Sequence, residues 1–227
     1  MKTLIALILA FAATPQPFLP PVPQAAAPVK DLNALIDAVD KTFASMKDFS
    51  ADFIQKSTNS VNQSQQDEGH LYLTRDRKMK LDYQKPEPKL WVSNGKTLST
   101  YTPANRQVTQ DPVKDSLAEE FPIMFLVGRA GLRKEFKEFK KLENKPLIEG
   151  DTVIQLIPNR KNQEIHSINI EVNPRTNFID HMTILFTDKS STEFVFLNIE
   201  INQNIPASTF EFTPPPGIRV VQGSTTQ

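Results

Sequence analysis

Histidines are the first side chains to consider for chemistry, because imidazole acts as a metal ligand and as a general base. His70, His166 and His181 lie on different predicted strands, without the spacing of a metal site. The chain has no cysteine, no G-x-S-x-G elbow and no glycine-rich phosphate loop. We therefore predict no catalytic residue, no cofactor and no metal site. A hydrolase built on an unrecognised carboxylate pair remains an alternative.

Two arginines in the stretch HLYLTRDRKMKLDYQ (residues 70–84) raise a different question. The odd positions of this stretch carry the apolar face of an extended strand, formed by Leu71, Leu73, Met79, Leu81 and Tyr83. Arg75 and Arg77 share that parity. Either a turn at Asp76 resets the register and leaves both arginines in water, or one guanidinium lies away from water and needs several acceptors.

The first 27 residues have the composition of an export leader. Lys2 precedes an apolar run from Leu4 to Ala13, and a proline- and alanine-rich stretch follows. The run is short for a membrane span, so we predict a signal peptide cleaved near Ala12 or near Ala27, with an uncleaved anchor as the alternative. Residues 28–227 are predicted to form a single domain.

Charge excludes one class of partner. Lysines and arginines number 26, acidic residues also number 26, and the two signs alternate along the chain. No net field attracts nucleic acid, so we predict no nucleic-acid binding. Separately, we expect a monomer.

Apolar spacing predicts the elements. A helix is predicted after the N-cap residue Asp31, with an apolar stripe at Leu32, Leu35, Ile36, Val39, Phe43 and Met46. Strands follow from Phe49, and a hairpin turn at Asn94-Gly95 is predicted to pair Trp91 with Leu98. Residues 112–141 read as short helices, with residues 132–141 as a surface helix with a solvated charged face, or alternatively as a membrane-surface or partner-binding helix.

The last part of the chain returns to strands over 152–157, 164–172, 178–187 and 193–201. Even and odd positions of residues 178–201 are both apolar. We expect these strands to be covered on both faces or to line an apolar cavity on one.

Several motifs, taken in order, resemble the LolA family of periplasmic carriers. They are the stretches FIQK (53–56), EGHL (68–71), NGKTL (94–98), YTP (101–103), FPIM (121–124) and FEFTPPPGI (210–218). The resemblance extends from about Asp31 to Val221. It implies an α+β, mostly β fold, in which an open, curved antiparallel sheet forms an incomplete β-barrel with a helical lid over an apolar cavity.

The resemblance also implies a function. Members act as periplasmic chaperones in outer-membrane lipoprotein sorting: they bind the acyl chains of lipoproteins and are not enzymes. The implied donor is an inner-membrane ATP-driven lipoprotein exporter, and the implied acceptor is an outer-membrane lipoprotein receptor. Two alternatives stay open: a periplasmic lipid or glycolipid carrier of the same fold, or a lipoprotein-sensing module.

Site residues follow from the same resemblance. Arg75 matches an arginine that holds the lid shut, but the family has proline where Asp76 stands, so Arg77 is the alternate. The predicted acyl-chain cavity is lined by flexible and aromatic side chains. They are Phe53, Leu71, Leu73, Met79, Leu81, Tyr83, Trp91, Met124, Phe125, Phe194 and Phe196.

Overall fold

The computed structural model describes residues 31–113, 131–159 and 164–223. These ranges contain α1 (Leu32–Ser45), β1 (Asp48–Thr58), β2 (Ser64–Thr74), β3 (Lys78–Lys85), β4 (Lys89–Asn94), β5 (Thr97–Thr102), β6 (Gln107–Pro112), α2 (Leu132–Glu135), β7 (Phe136–Lys141), β8 (Thr152–Pro158), β9 (Ile165–Val172), β10 (Ile179–Phe186), β11 (Ser191–Ile201) and β12 (Arg219–Gln222). Neither of the helices in the described ranges has the length and hydropathy of a membrane span.

The first helix forms where the apolar stripe predicts it. Asp31 caps its N-terminus, because the Asp31 carboxylate accepts a hydrogen bond of 2.9 Å from the backbone N–H of Asn33. One face of α1 is buried, and this face carries Leu35, Ile36, Val39 and Phe43. The other face is polar, so α1 packs on the sheet as a cover and has no partner helix of comparable length in the described chain.

All twelve strands form one open sheet, in the order β12-β6-β5-β4-β3-β2-β1-β11-β10-β9-β8-β7. The pairing of β1 with β11 joins the two runs of strands. β12 and β7 lie at opposite edges and do not pair with each other, so the barrel is incomplete. The predicted curved, mostly β architecture is confirmed. The sheet is antiparallel with one exception, since β12 runs parallel to β6.

The segment from Leu132 to Lys141 differs from the sequence prediction. A surface helix is wrong beyond Glu135, because Phe136–Lys141 is the edge strand β7. A register shift between Phe136 and Glu138 lets Phe136 and Phe139 meet, with ring centroids 6.5 Å apart. This bulge explains the error, because it allows a spacing of three, which is typical of a helix, in a strand. The exposed lysines suit an edge strand.

The β4–β5 hairpin also corrects a prediction. Trp91 pairs with Thr100, and Leu98 pairs with Ser93. The two loop residues are therefore Gly95 and Lys96, one position later than the sequence suggested. Gly95 has a φ of 88°, which glycine adopts without strain.

A bulge in β11 explains why both parities of this strand are apolar. Between the pairs Ser50–Glu200 and Asp52–Leu197, β11 has one residue more than β1, and Asn198 there has a φ of 51°. Residues before the bulge therefore face the core at even positions, and Ile199 and Ile201 face it at odd positions. The expectation that both faces are covered is wrong at Leu197, which is 44% exposed.

Candidate functional site

The inner face of the sheet, meaning the side packed against α1, has a polarity that changes along β1. Directly paired residues share a face, so each inner residue of β1 defines a row across β2 and β11. Phe49 pairs with Leu73 and Ile201, and further along β1 Phe53 pairs with Gly69 and Phe196. These rows are apolar. They give the middle of the inner face its hydrophobic character.

Aromatic rings cross this face from β4 to β11. The ring of Phe53 meets the ring of Tyr83 edge-on at 5.1 Å between centroids, and that of Phe194 at 6.1 Å. Tyr83 lies 5.8 Å from Trp91, and Phe194 stacks on Phe196 at 5.9 Å. Edge-to-face and offset contacts of this kind stabilise beyond the buried area alone. The cluster is therefore a large apolar surface with defined geometry.

The residues predicted to line an acyl-chain cavity mostly come together here. Eight of them are buried in one core cluster, namely Phe53, Leu71, Leu73, Met79, Leu81, Tyr83, Phe194 and Phe196. Trp91 packs against this cluster and is partly buried. Met124 and Phe125 lie outside the described residues.

Helix α1 covers the same face. Its buried residues Leu35, Ile36, Val39 and Phe43 belong to the same core cluster as the aromatic rings. Val39 has no exposed surface, and Phe43 is 5% exposed. Side chains of α1 thus occupy space against the inner face.

Arg75 attaches the end of α1 to the β2–β3 turn. Its Nη2 donates to the carbonyl oxygens of Phe43 at 2.8 Å and Ala44 at 2.7 Å. The last carbonyls of a helix have no partner within the helix and carry partial negative charge, so a guanidinium there is favourable. The Nε atom of Arg75 is buried without a hydrogen-bond partner. Arg75 is therefore held in place largely by its contacts with α1.

The turn between β2 and β3 is the one for which the sequence allowed two conformations. Residues 75–77 connect β2 to β3, and Arg77 has a φ of 67°. The Asp76 carboxylate accepts a hydrogen bond from Thr74 and lies 2.8 Å from Lys78 Nζ. Both sequence hypotheses thus describe part of the geometry, because residues 75–77 form a turn that leaves Arg77 exposed, while Arg75 meets carbonyl acceptors.

A second attachment of α1 carried no sequence signal. The backbone N–H of Leu132 donates to the Asp40 carboxylate at 2.5 Å, and Arg133 Nη2 lies 2.7 Å from the Asp37 carboxylate. Both donors belong to α2, which the sequence described only as part of a surface helix. α1 is therefore held at its middle by α2 and at its end by Arg75.

Polar groups replace apolar ones at the far side of the aromatic cluster. The Tyr83 hydroxyl donates to Gln55 Oε1 at 2.8 Å. Lys89 Nζ lies 2.9 Å from Oδ1 of the buried Asp67, and 4.7 Å from the centre of the Tyr83 ring. Burial, together with the charge of Asp67, raises the pKa of Tyr83, so its hydroxyl stays a neutral donor. This boundary marks where the inner face becomes polar.

The opposite face of β9 to β11 carries a buried acidic cluster that the sequence did not reveal. His181 Nδ1 and Nε2 each lie 2.9 Å from a carboxylate, on Glu171 and Glu193 respectively. Glu171 also accepts hydrogen bonds from the backbone N–H groups of Leu147 and Ile148, at 2.9 and 3.1 Å. These contacts tie the loop before β8 to the sheet, which is a structural role.

Residues 44–213 match the family model described as "Outer membrane lipoprotein carrier protein LolA". The chain belongs to the LolA family. The matched range includes the whole aromatic cluster, the end of α1 and the turn with Arg75.

Relatives with the same family name are similar over nearly their full length. The outer-membrane lipoprotein carrier protein of Chromobacterium violaceum is 30% identical over 184 residues, which cover 81% of this chain and 85% of that protein. The carrier protein of Azotobacter vinelandii is 26% identical, with 86% of this chain and 87% of that protein covered. The LolA match is thus a match of whole domains.

A solved structure shows the same fold at low identity. An uncharacterized conserved protein from Thermus thermophilus superposes with a TM-score of 0.51 and 11% identity, covering 84% of this chain and 98% of that one. At this identity the likeness concerns the fold alone. It shows that a large open sheet of this shape is shared beyond recognisable sequence similarity.

Proposed function

We propose that this protein carries lipoproteins through the periplasm, by binding their acyl chains on the inner face of the sheet. The observation that carries the proposal is the aromatic cluster under α1, in a chain of the LolA family whose relatives are named as outer-membrane lipoprotein carriers. Exposing acyl chains to water costs about 0.8 kcal/mol per methylene. A carrier must therefore supply a large apolar surface.

The proposed binding surface consists of the cavity residues named above. They are Phe53, Leu71, Leu73, Met79, Leu81, Tyr83, Trp91, Met124, Phe125, Phe194 and Phe196. Because α1 fills the space against the described members, binding displaces α1, and Arg75 opposes that displacement through Phe43 and Ala44. The same competition allows release, since the apparent affinity is the intrinsic affinity multiplied by the fraction of molecules in which α1 is open.

The partners are part of the proposal. A lid that recloses provides a way to hand over cargo but supplies no energy for extracting it from a membrane. We therefore assign loading to an inner-membrane ATP-driven exporter and unloading to an outer-membrane receptor, as the LolA family implies.

The test is release of a lipoprotein from a membrane. Mature protein is incubated with spheroplasts that make a triacylated outer-membrane lipoprotein, and the supernatant is assayed for a soluble complex. We expect release by the wild type. Failure, in an assay where a known LolA carrier succeeds, would contradict the proposal and favour a carrier of another lipid.

A matched pair of variants connects release to the inner face. Phe194 is 6% exposed within the aromatic cluster, whereas Val195 is its neighbour on the outer face of β11. Phe194→Asp should abolish release and Val195→Asp should retain it, provided that both variants show the wild-type circular dichroism spectrum. Equal release by the two folded variants would place the acyl chains elsewhere.

A further inference from the structure

A polar pocket lies at the end of the sheet where β1 ends and where β2 and β11 begin. Its volume is about 480 Å³, and nine residues line it, all of them serine, threonine, asparagine or glutamine. Among the described residues, none that lines the pocket is charged. The size lies in the range of small-ligand sites, but no aliphatic or aromatic residue lines this pocket, unlike most such sites. The occupant should therefore be polar and neutral.

The pocket spans both faces at this end of the sheet: Thr58, Ser64 and Ser191 line it from the outer face, and a second row lines it from the inner face. Ser57 pairs with Gln65 and with Thr192, and these three lining residues share a face with Phe53 because they have its parity along the paired strands. Ser57 follows Phe53 by four positions in β1, which corresponds to about 13 Å along the strand. The row of Gln55 and Asp67 lies between them, with Lys89 Nζ 2.9 Å from Asp67, so a molecule that extends from the rings passes this ion pair and then meets the neutral groups of the pocket.

Several of these groups have hydrogen-bonding capacity to spare. Ser57 Oγ accepts from Gln55 Nε2 at 3.0 Å, which leaves its own proton free to donate. The Nε2 atom of Gln65 bonds to Asp67, and its carbonyl oxygen remains an acceptor. The Thr192 side chain makes no hydrogen bond to any described residue. The pocket therefore offers both donors and an acceptor without charge.

We propose that this pocket holds the polar end of an acylated N-terminus, namely its ester and amide groups and the first residues of the peptide. The inference rests on the proposed function, which places the acyl chains on the adjoining rings. Ester and peptide carbonyls accept from hydroxyls, and peptide N–H groups donate to a glutamine oxygen. A neutral lining has no counter-charge for a phosphate, so it favours lipoproteins over phospholipids.

Site-specific cross-linking tests the arrangement. The photoreactive residue p-benzoylphenylalanine is introduced at Ser57, at Phe194 or at Lys56, which is the exposed neighbour of Ser57 on the opposite face of β1. The soluble lipoprotein complex is irradiated and the products are mapped by mass spectrometry. We expect Ser57 to label the first peptide residues, Phe194 to label an acyl chain, and Lys56 to label at least tenfold less.

The outcomes separate the two proposals. Labelling of an acyl chain from Phe194, with no peptide label from Ser57, would overturn the pocket assignment and leave the carrier function intact. A phospholipid on Ser57 would overturn it as well. If no soluble complex forms, both proposals fall together.

A conservative variant gives a second measurement. Thr192→Val keeps the shape of the side chain and removes the hydroxyl, and one hydrogen bond contributes about 1 kcal/mol, or roughly fivefold. The lipoprotein complex should dissociate about fivefold faster, while the affinity for a fluorescent fatty acid, which has no peptide, stays unchanged. Equal effects on both ligands would overturn the assignment, because they would indicate a change in the acyl site.

Discussion

Replacing Arg75 with leucine should tighten the binding of acyl chains and slow their transfer. In the closed arrangement, Arg75 donates to two carbonyls at the end of α1, those of Phe43 and Ala44. Leucine cannot donate, and it adds apolar surface near the inner face. The closed state therefore loses stability relative to the open state.

The magnitude follows from the two bonds. Hydrogen bonds with a charged donor contribute about 1.5 to 3 kcal/mol each, and water can replace part of this at the end of a helix. A net loss of about 1.5 to 3 kcal/mol corresponds to a change of roughly 10- to 100-fold in the ratio of closed to open states. The apparent affinity is the intrinsic affinity multiplied by the fraction of molecules with an open lid. It should therefore rise by up to the same factor.

Titration with a fluorescent fatty acid measures the affinity, and the half-time of lipoprotein transfer to outer-membrane vesicles measures release. Arg77→Asn tests the alternate lid-closing residue, because it removes the same charge from the same turn and asparagine tolerates the φ of 67° at this position. A gain in affinity in this variant and not in Arg75→Leu would assign the role to Arg77. An Arg75→Leu variant that stays within about twofold of the wild type would refute the role of Arg75 in holding α1 closed.

Two further predictions concern stability. Gly69→Ala should destabilise the fold by about 3 kcal/mol or more. A Cβ there would overlap the backbone carbonyl of Asp82 and lie 2.9 Å from the Cα of Tyr83. A urea midpoint equal to that of the wild type would contradict this. Burial, with the nearby carboxylates of Asp180 and Glu171, raises the pKa of Asp151 from 3.8 to about 7. The folded state therefore holds this proton more tightly than the unfolded chain, so this contribution to the free energy of unfolding falls as pH rises from 3.8 to about 7. Asp151→Asn should remove this pH-dependent contribution. Relative to the wild type, the variant therefore gains stability from pH 5 to pH 8 in urea unfolding. A difference in the free energy of unfolding between variant and wild type that stays constant with pH would contradict the assignment.

The sequence by itself determined the elements whose pattern is local. The stripe from Leu35 to Phe43 and the cap at Asp31 define α1, because both depend on residues within a turn or two of each other. Alternation over residues 71–83 likewise determined which side chains of β2 and β3 share the buried face. The need of Arg75 for acceptors was also readable, since a guanidinium on an apolar parity requires partners.

Only the tertiary structure decided where these patterns break. The bulges at Asn198 and after Phe136 shift the side-chain parity by one, and the turn at Gly95 lies one residue later than predicted, so that Trp91 pairs two residues further along β5. Each shift is fixed by the strand alongside, which lies far away in the sequence or across a turn whose backbone angles the residue types leave open. The acceptors of Arg75 are a further case. Every residue has a backbone carbonyl, so the residue types do not mark those of Phe43 and Ala44 as acceptors. They meet Arg75 only because α1 ends beside the β2–β3 turn.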